Sequence, residues 1–382
     1  MSTNMLIAKN EIADAFLDAT IGYYTDGNRV YGAKTHAWEI ADEIIALERT
    51  CTLILRSTGT GFSVKKFGKN GKPFVHKTSL GHQIFLALLS DQAAIQRHFS
   101  QHELNPVVDL FIRHAEQCGV FKLVWQMKNG LLDHELTPAV ERLSSFVEAI
   151  RKEGKSQKFQ TSLKKFTRNI NKKHLSFCQY FDQISSKHKK LLPICLCLSY
   201  KKSKSWPQII DNSITFHEVK KHRDQFFKIL HKAFPQDDLL GFAYRIDYGL
   251  EPGFNIHLLV LLNAEKCQEA ITAAQIIGNL WNKVVPAENG QYCNYNSHPI
   301  CYYLTAYSNL LGQDISEDQR KVALGDLKRS FGIYLIKVDF YAKYKPPGNG
   351  RIFDRGVMPK KKKSITGTNN ARTGKIKGSN LK

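Results

Sequence analysis

Two apolar runs of similar length, Leu240 to Tyr248 and Phe254 to Asn263, flank the turn sequence Gly249-Leu-Glu-Pro-Gly253. Runs rich in Leu, Ile, Val, Phe and Tyr and bounded by Gly and Pro predict two antiparallel strands joined by a turn. That hairpin sets the terms for the second half of the chain, because its apolar faces need cover. A third strand is expected over Leu191 to Tyr200. Helices are expected over Val219 to Ala233, Ala264 to Val284 (ending near Pro286) and Asp318 to Tyr344. The order β, α, β, β, α predicts an α+β domain with helices packed on an antiparallel sheet.

The first 150 residues read as mainly helical. Ile40, Ile44 and Leu47 share one helical face, as do Val108, Phe111 and Ile112, and again Val140, Leu143, Val147 and Ile150. A hairpin is expected among them, from Leu53 to Arg56 and Phe62 to Phe67, with a second turn at Lys69-Asn-Gly-Lys72 before Phe74-Val-His76. Gly59-Thr-Gly61 lacks the spacing of a phosphate loop. Four parts follow: a mainly helical domain over 1–150, a basic linker or solvated helix over 151–190, an α+β domain over 191–357, and a basic tail over 358–382. The tail is expected to be disordered without a partner.

The formal charge of +21 is unevenly spread. Residues 1–150 hold 15 basic and 16 acidic side chains and residues 205–358 hold 17 and 16, so both blocks are nearly neutral. Residues 151–204 carry 15 basic against 2 acidic, and residues 359–382 carry 8 against none. Concentrated positive charge repels itself unless a polyanion or solvent screens it, and phosphate neutralisation releases counterions. Nucleic acid is therefore the expected partner, with Lys164, Lys165, Lys172, Lys173, Arg351, Arg355, Lys360, Lys361, Lys362 and Lys363 as candidate backbone contacts. No membrane partner is expected, since no apolar run approaches the roughly 20 residues a bilayer demands and Lys164, Lys165, Lys172 and Lys173 are not opposed by a strong apolar face with Trp or Phe anchors. Met1 to Phe16 does not read as a signal peptide, which suggests a cytoplasmic protein. The eight cysteines form no CxxC pair, and Cys195 and Cys197 read as core thiols of a strand.

Side chains alternate along a strand, so Asn255 and His257 share a face, and Asp247 reaches it if the first strand pairs across the turn. A carboxylate, an imidazole and an amide oxygen suit a hard divalent cation such as Mg²⁺ or Mn²⁺. A strand histidine is also, and more commonly, a hydrogen-bonded structural group. Further on, Tyr334 and Lys337 are neighbours if both lie on one helix, and an ammonium beside a phenol favours the phenolate. Yet Leu324, Leu327, Phe331, Tyr334, Val338 and Tyr341 are spaced 3, 4, 3, 4, 3, an apolar stripe that would pack on the sheet. Packing and facing a sheet-borne cation require the same inward direction, so the pattern leaves both roles open.

These residues carry a resemblance. A strand, a hairpin with a histidine on its second strand, and a later Tyr-x-x-Lys resemble the HUH endonucleases, which start rolling-circle replication or conjugative transfer. More narrowly, residues 190–357 resemble the YagK/YfjJ C-terminal domain of inovirus-type replication proteins of filamentous phages and prophages. The stretches concerned are Leu240 to Gly249, Gly253-Phe-Asn255-Ile-His257-Leu-Leu, Trp281 with Asn294-Tyr-Asn296, Tyr334-Leu-Ile-Lys337-Val-Asp339-Phe-Tyr341, and Arg351-Ile-Phe-Asp-Arg355-Gly356. The resemblance covers less than half of the chain.

It implies an HUH/ferredoxin-like sheet and a metal-dependent nicking site for single-stranded or origin DNA, with no nucleotide cofactor and with host replication proteins as further partners. The cation would sit on His257, Asn255 and Asp247. Tyr334 would attack the phosphate and leave a 5′-phosphotyrosine, with Lys337 stabilising charge and Tyr341 as the alternative nucleophile. Two positions depart from the family pattern, which has His where Asn255 stands and Glu where Asp247 stands. Asn255 favours a rival expectation, a DNA-binding protein that keeps the scaffold without cleaving. A third is an RNA-binding module stacking bases on Tyr244 and Tyr248.

Overall fold

The two apolar runs form the expected hairpin at the middle of an antiparallel sheet. The structure is a computed structural model that describes residues 9–201, 214–297 and 311–357, apart from positions 19, 21, 27–28, 34–35, 69–70, 236 and 250–252. The amino-terminal elements are α1 (Lys9–Asp18), β1 (Gly22–Asp26), β2 (Arg29–Ala33), α2 (His36–Arg56), β3 (Phe62–Lys66), β4 (Pro73–Lys77), α3 (Ser79–Ala87), α4 (Gln92–His98), β5 (His102–Leu104), α5 (Pro106–Gln117), α6 (Val120–Asn129) and α7 (Leu136–Gly154). There follow α8 (Gln157–Lys187), β6 (Leu191–Tyr200), α9 (Phe216–Ala233), β7 (Leu239–Tyr248), β8 (Phe254–Asn263), α10 (Ala270–Val284), β9 (Gly290–Asn294), α11 (Glu317–Leu335), β10 (Ala342–Tyr344) and β11 (Phe353–Arg355).

Five strands pair antiparallel in the order β11, β7, β8, β6, β9. The sheet is apolar on both faces, which explains why β6 and β8 read as continuous apolar runs. One face presents Leu192, Ile194, Leu196, Ile246, Ile256, Leu258 and Val260 to Phe226 and Leu230 of α9 and to Ile277 and Trp281 of α10. The opposite face presents Leu191, Cys195, Ala243, Leu259 and Leu261 to Phe177, Phe181 and Ile184 of α8 and to Leu327, Phe331 and Tyr334 of α11. Trp281 is fully buried and its indole N–H donates to the Ser199 carbonyl at 2.8 Å, while Asn296 accepts from the Cys195 amide at 2.8 Å. Both therefore brace the sheet. Cys195 is buried and Cys197 half-buried in β6.

Several expected elements differ. Leu53 to Arg56 is the last turn of α2, because Ile44, Leu47, Cys51 and Ile54 continue one buried helical stripe. The hairpin in this region is β3 with β4. Residues 157–187 are a single 31-residue helix with a buried face of Phe159, Phe166, Ile170, Phe177, Phe181 and Ile184, neither a linker nor a fully solvated helix. The third helix stops at Leu335, where Ile336 leaves helical geometry (φ −133°), and a short 3₁₀ turn over Lys337–Phe340 leads into β10.

That break sends the chain back to the amino-terminal helices. β10 pairs with β5, and Ile333, Val338, Tyr341 and Ala342 join the core formed by α1, α2, α5 and α7. Asn105 fastens the join: its side-chain amide donates to the Phe340 carbonyl at 2.9 Å, while its oxygen caps α5 through the Val107 amide at 2.9 Å. No described helix is long and apolar enough to cross a membrane.

Candidate functional site

The register of β7 and β8 decides which side chains meet. Arg245 stands opposite His257 and Asp247 opposite Asn255, so all four project from one face, the face covered by α8 and α11. Asn255, His257 and Asp247 thus share a face as the alternation predicts. α11 lays its apolar stripe on the same face and brings Tyr334 down onto His257. The Tyr334 hydroxyl and His257 Nδ1 form a short hydrogen bond, with ring centroids 5.0 Å apart and planes at 86°. The same hydroxyl lies 3.1 Å from the Tyr295 hydroxyl. Tyr334 thus packs on the sheet as its apolar stripe predicts, and the same inward direction sets its hydroxyl against His257. Tyr334 and His257 are each 6% exposed.

Burial sets the protonation of the imidazole. Withdrawal from water, reinforced by the neighbouring Arg245 charge and only partly opposed by Asp247, pushes the His257 pKa down to about 3. The ring is neutral at ordinary pH. Arg245 is buried too, yet the carboxylates of Asp247 and Asp339 outweigh the loss of water and hold its pKa above the usual guanidinium value. Asp247 shows the converse: burial acts against its charge, but Arg245 and then His102 hold its pKa below the ordinary carboxylate value. Arg245 is bonded directly to Asp247 and lies 4.0 Å from Asp339, which pairs with Lys173 of α8 at 3.0 Å. His102 of β5 approaches Asp247 at 3.9 Å, and burial lowers its own pKa. Two cations and two carboxylates balance.

This balance bears on the expected divalent cation. One oxygen of Asp247 is taken by Arg245 and the other accepts the Tyr248 amide at 3.1 Å, while His257 Nδ1 is taken by Tyr334. A guanidinium stands within the set, and a divalent cation would add charge to a site already neutral. Among the described residues no group of three or more His, Cys, Asp and Glu could hold a metal ion. A cation on His257, Asn255 and Asp247 would compete with Arg245 for the carboxylate and would take the imidazole through Nε2 or in place of Tyr334.

Other expected site residues lie elsewhere. Because α11 ends at Leu335, Tyr334 and Lys337 are not helical neighbours. The Lys337 ammonium donates to Asn171 of α8 at 2.5 Å, and burial lowers its pKa. Tyr341 lies within the core of the amino-terminal helices, fully buried, its ring 5.2 Å from Phe16 and its hydroxyl without a hydrogen-bond partner among the described residues. Burial raises its pKa, and it lies in a different core from His257 and Tyr334.

Lys164, Lys165 and Lys172 are exposed on α8 beside Lys158 and Arg168. Lys173 is instead committed to Asp339. Arg351 is exposed and paired with Asp354 at 3.0 Å. Arg355 donates to Ser176 at 3.1 Å and covers the Tyr180 ring at 5.0 Å, a structural placement. Lys360, Lys361, Lys362 and Lys363 lie outside the described residues.

Sequence reading missed Arg245, Asp339, His102 and Tyr295. The signal for Arg245 was present, since it alternates with Asp247 on the same strand. No family model, no curated protein and no solved structure matches this chain.

Proposed function

We propose that the chain is a DNA-binding protein of the replication-initiator type, built on an HUH-like sheet, in which Tyr334 is the nucleophile of a DNA-nicking reaction. The observation that carries the reading is the Tyr334 hydroxyl seated on the neutral Nδ1 of His257. A phenol is a weak nucleophile until a base takes its proton. Here Tyr334 Oη would attack phosphorus in line while His257 Nδ1 accepts the phenolic proton, the negative charge of the entering phosphodiester raising the basicity of an imidazole that burial, with Arg245, holds at about 3. The bond from phosphorus to the 3′-oxygen breaks, that oxygen takes a proton from water, and a 5′-phosphotyrosine remains. Tyr295 holds the phenol in place. The link conserves the phosphodiester, so religation needs no nucleotide cofactor. The basic face of α8 and the lysine-rich tail supply backbone affinity without reading sequence.

A second reading has its own support. Both rings are almost fully buried, so a phosphodiester reaches Tyr334 only after the end of α11 shifts, and Asn255 departs from the HUH pattern. A DNA-binding protein that keeps the scaffold without cleaving fits those two facts. One experiment separates them. Single-stranded and supercoiled DNA are incubated with the protein, with Mn²⁺ and in EDTA, and a denaturant-resistant protein-DNA adduct is sought. Adduct formation by wild type that is lost in Tyr334→Phe supports nicking. DNA binding with no adduct in either buffer selects the second reading. Equal adduct from Tyr334→Phe removes Tyr334 as the nucleophile.

A further inference from the structure

Resting on Tyr334 as the nucleophile, we propose that the Arg245 guanidinium contacts the scissile phosphate and supplies the positive charge of the transition state, so that cleavage needs no divalent cation. Arg245 stands directly across the strand pair from His257, whose other neighbour is the attacking phenol. Its Nη1 lies 3.5 Å from the backbone carbonyl of Tyr334, so the shift of α11 that admits a phosphodiester also frees this donor beside the phenol. The guanidinium is held by Asp247 at one end, with Asp339 at 4.0 Å.

Donor capacity agrees. A guanidinium has five N–H groups in a planar fork that matches phosphate oxygens, and Arg245 makes one close contact, to Asp247, beside the long contacts to Asp339 and to the Tyr334 carbonyl. Donors remain for an entering anion. The charge tally agrees as well. With Arg245 and Lys173 balanced by Asp247 and Asp339, an arriving phosphodiester adds one negative charge, which favours the imidazolium that forms when His257 takes the phenolic proton.

The test uses the full-length chain and a single-stranded oligonucleotide, reading denaturant-resistant adduct over time. Wild type is expected to form adduct in EDTA at a rate within about twofold of that in Mn²⁺. Removing the guanidinium alone would strand two buried carboxylates and risks unfolding, so the test variant is the double substitution Arg245→Gln with Asp247→Asn. Its far-ultraviolet spectrum should match wild type and its adduct rate should fall by roughly 10²–10³, the effect of deleting one preorganised charge-stabilising donor. Arg245→Lys keeps the charge without the fork and should fall between. Independently, Mn²⁺ titration followed by electron paramagnetic resonance should show no stoichiometric site that His257→Gln abolishes.

Adduct that appears only with Mn²⁺, or a stoichiometric Mn²⁺ site abolished in His257→Gln, would overturn the role of Arg245 while leaving Tyr334 as the nucleophile. A double variant as fast as wild type would do the same. No adduct under any condition, with DNA still bound, would overturn the nicking reaction itself and this inference with it.

Discussion

His257→Gln should change how the protein responds to acid more than how it behaves at neutral pH. In the unfolded chain a histidine titrates at 6.5, whereas in the fold burial and Arg245 hold His257 at about 3. Between those values the unfolded chain binds a proton that the folded chain refuses. Stability is therefore flat above the unfolded value, falls as pH drops below 6.5, and continues to fall until pH nears the folded value. At pH 5 the unfolded chain is favoured by about 1.5 pH intervals, which at roughly 1.36 kcal/mol each costs the fold about 2 kcal/mol relative to pH 8. This figure depends only on the folded value lying well below 5.

Urea unfolding at pH 8 and pH 5 measures it. Glutamine does not titrate and its amide oxygen accepts from the Tyr334 hydroxyl, so the variant should lose about 2 kcal/mol less than wild type between the two pH values. Other buried histidines with lowered values, such as His102 and His222, contribute to both proteins and cancel in the difference. Asp247, held below its ordinary value, stays ionised at pH 5 in both. Identical pH dependence in wild type and variant would refute the claim that His257 is neutral, and with it the proton acceptor for Tyr334.

Other expectations rest on single residues or short segments. Gly241→Ala would place a methyl 2.6 Å from the Tyr180 hydroxyl and against Ile184, where α8 crosses β7. Overpacking of that kind should cost about 1–3 kcal/mol, read from the urea midpoint. Replacing Lys164, Lys165 and Lys172 by glutamine should weaken DNA binding alike for all sequences and reduce the slope of log affinity against log salt by ~1 for each of these lysines that neutralises a phosphate. Deleting residues 359–382 should flatten the same slope further, and an unchanged slope would assign the tail another role.

The three central strands of the sheet were legible because they are apolar runs bounded by lysines or by Gly and Pro, whereas the short edge strands β9 and β11 carry no such run. β6 and β8 begin and end where the sequence places them. The helix over 318–344 was not, and its residues show why. Leu324, Leu327, Phe331 and Tyr334 face the sheet, but Val338 and Tyr341, which continue the same spacing, are buried in a different core among the amino-terminal helices. A periodic stripe records that residues are buried and not what buries them, so a break at Ile336 leaves the pattern undisturbed. The segment 151–173 misled for the opposite reason. Lys158, Lys164, Lys165 and Lys172 lie on the solvent side of α8, while Phe159, in the amino-terminal core, and Phe166, against the sheet, are too widely spaced to stand out in the local composition.

At the site, alternation on two strands gave the shared face of Asp247, Asn255 and His257, and inward spacing gave the direction of Tyr334, but only the resemblance placed the phenol with the imidazole. The charges around them were not readable in the same way, because they arrive from distant parts of the chain: His102 from β5, Lys173 from α8 and Asp339 from the turn after α11. Those three matter for what can stand at position 255. A buried group of two cations and two carboxylates tolerates a neutral neighbour and resists a further unpaired charge. Asn255 and the unprotonated His257 are both neutral. The same asparagine that weakens a metal shell is thus what a site organised around Arg245 requires, so departure from a metal-binding pattern is not by itself evidence that the chemistry at Tyr334 has vanished.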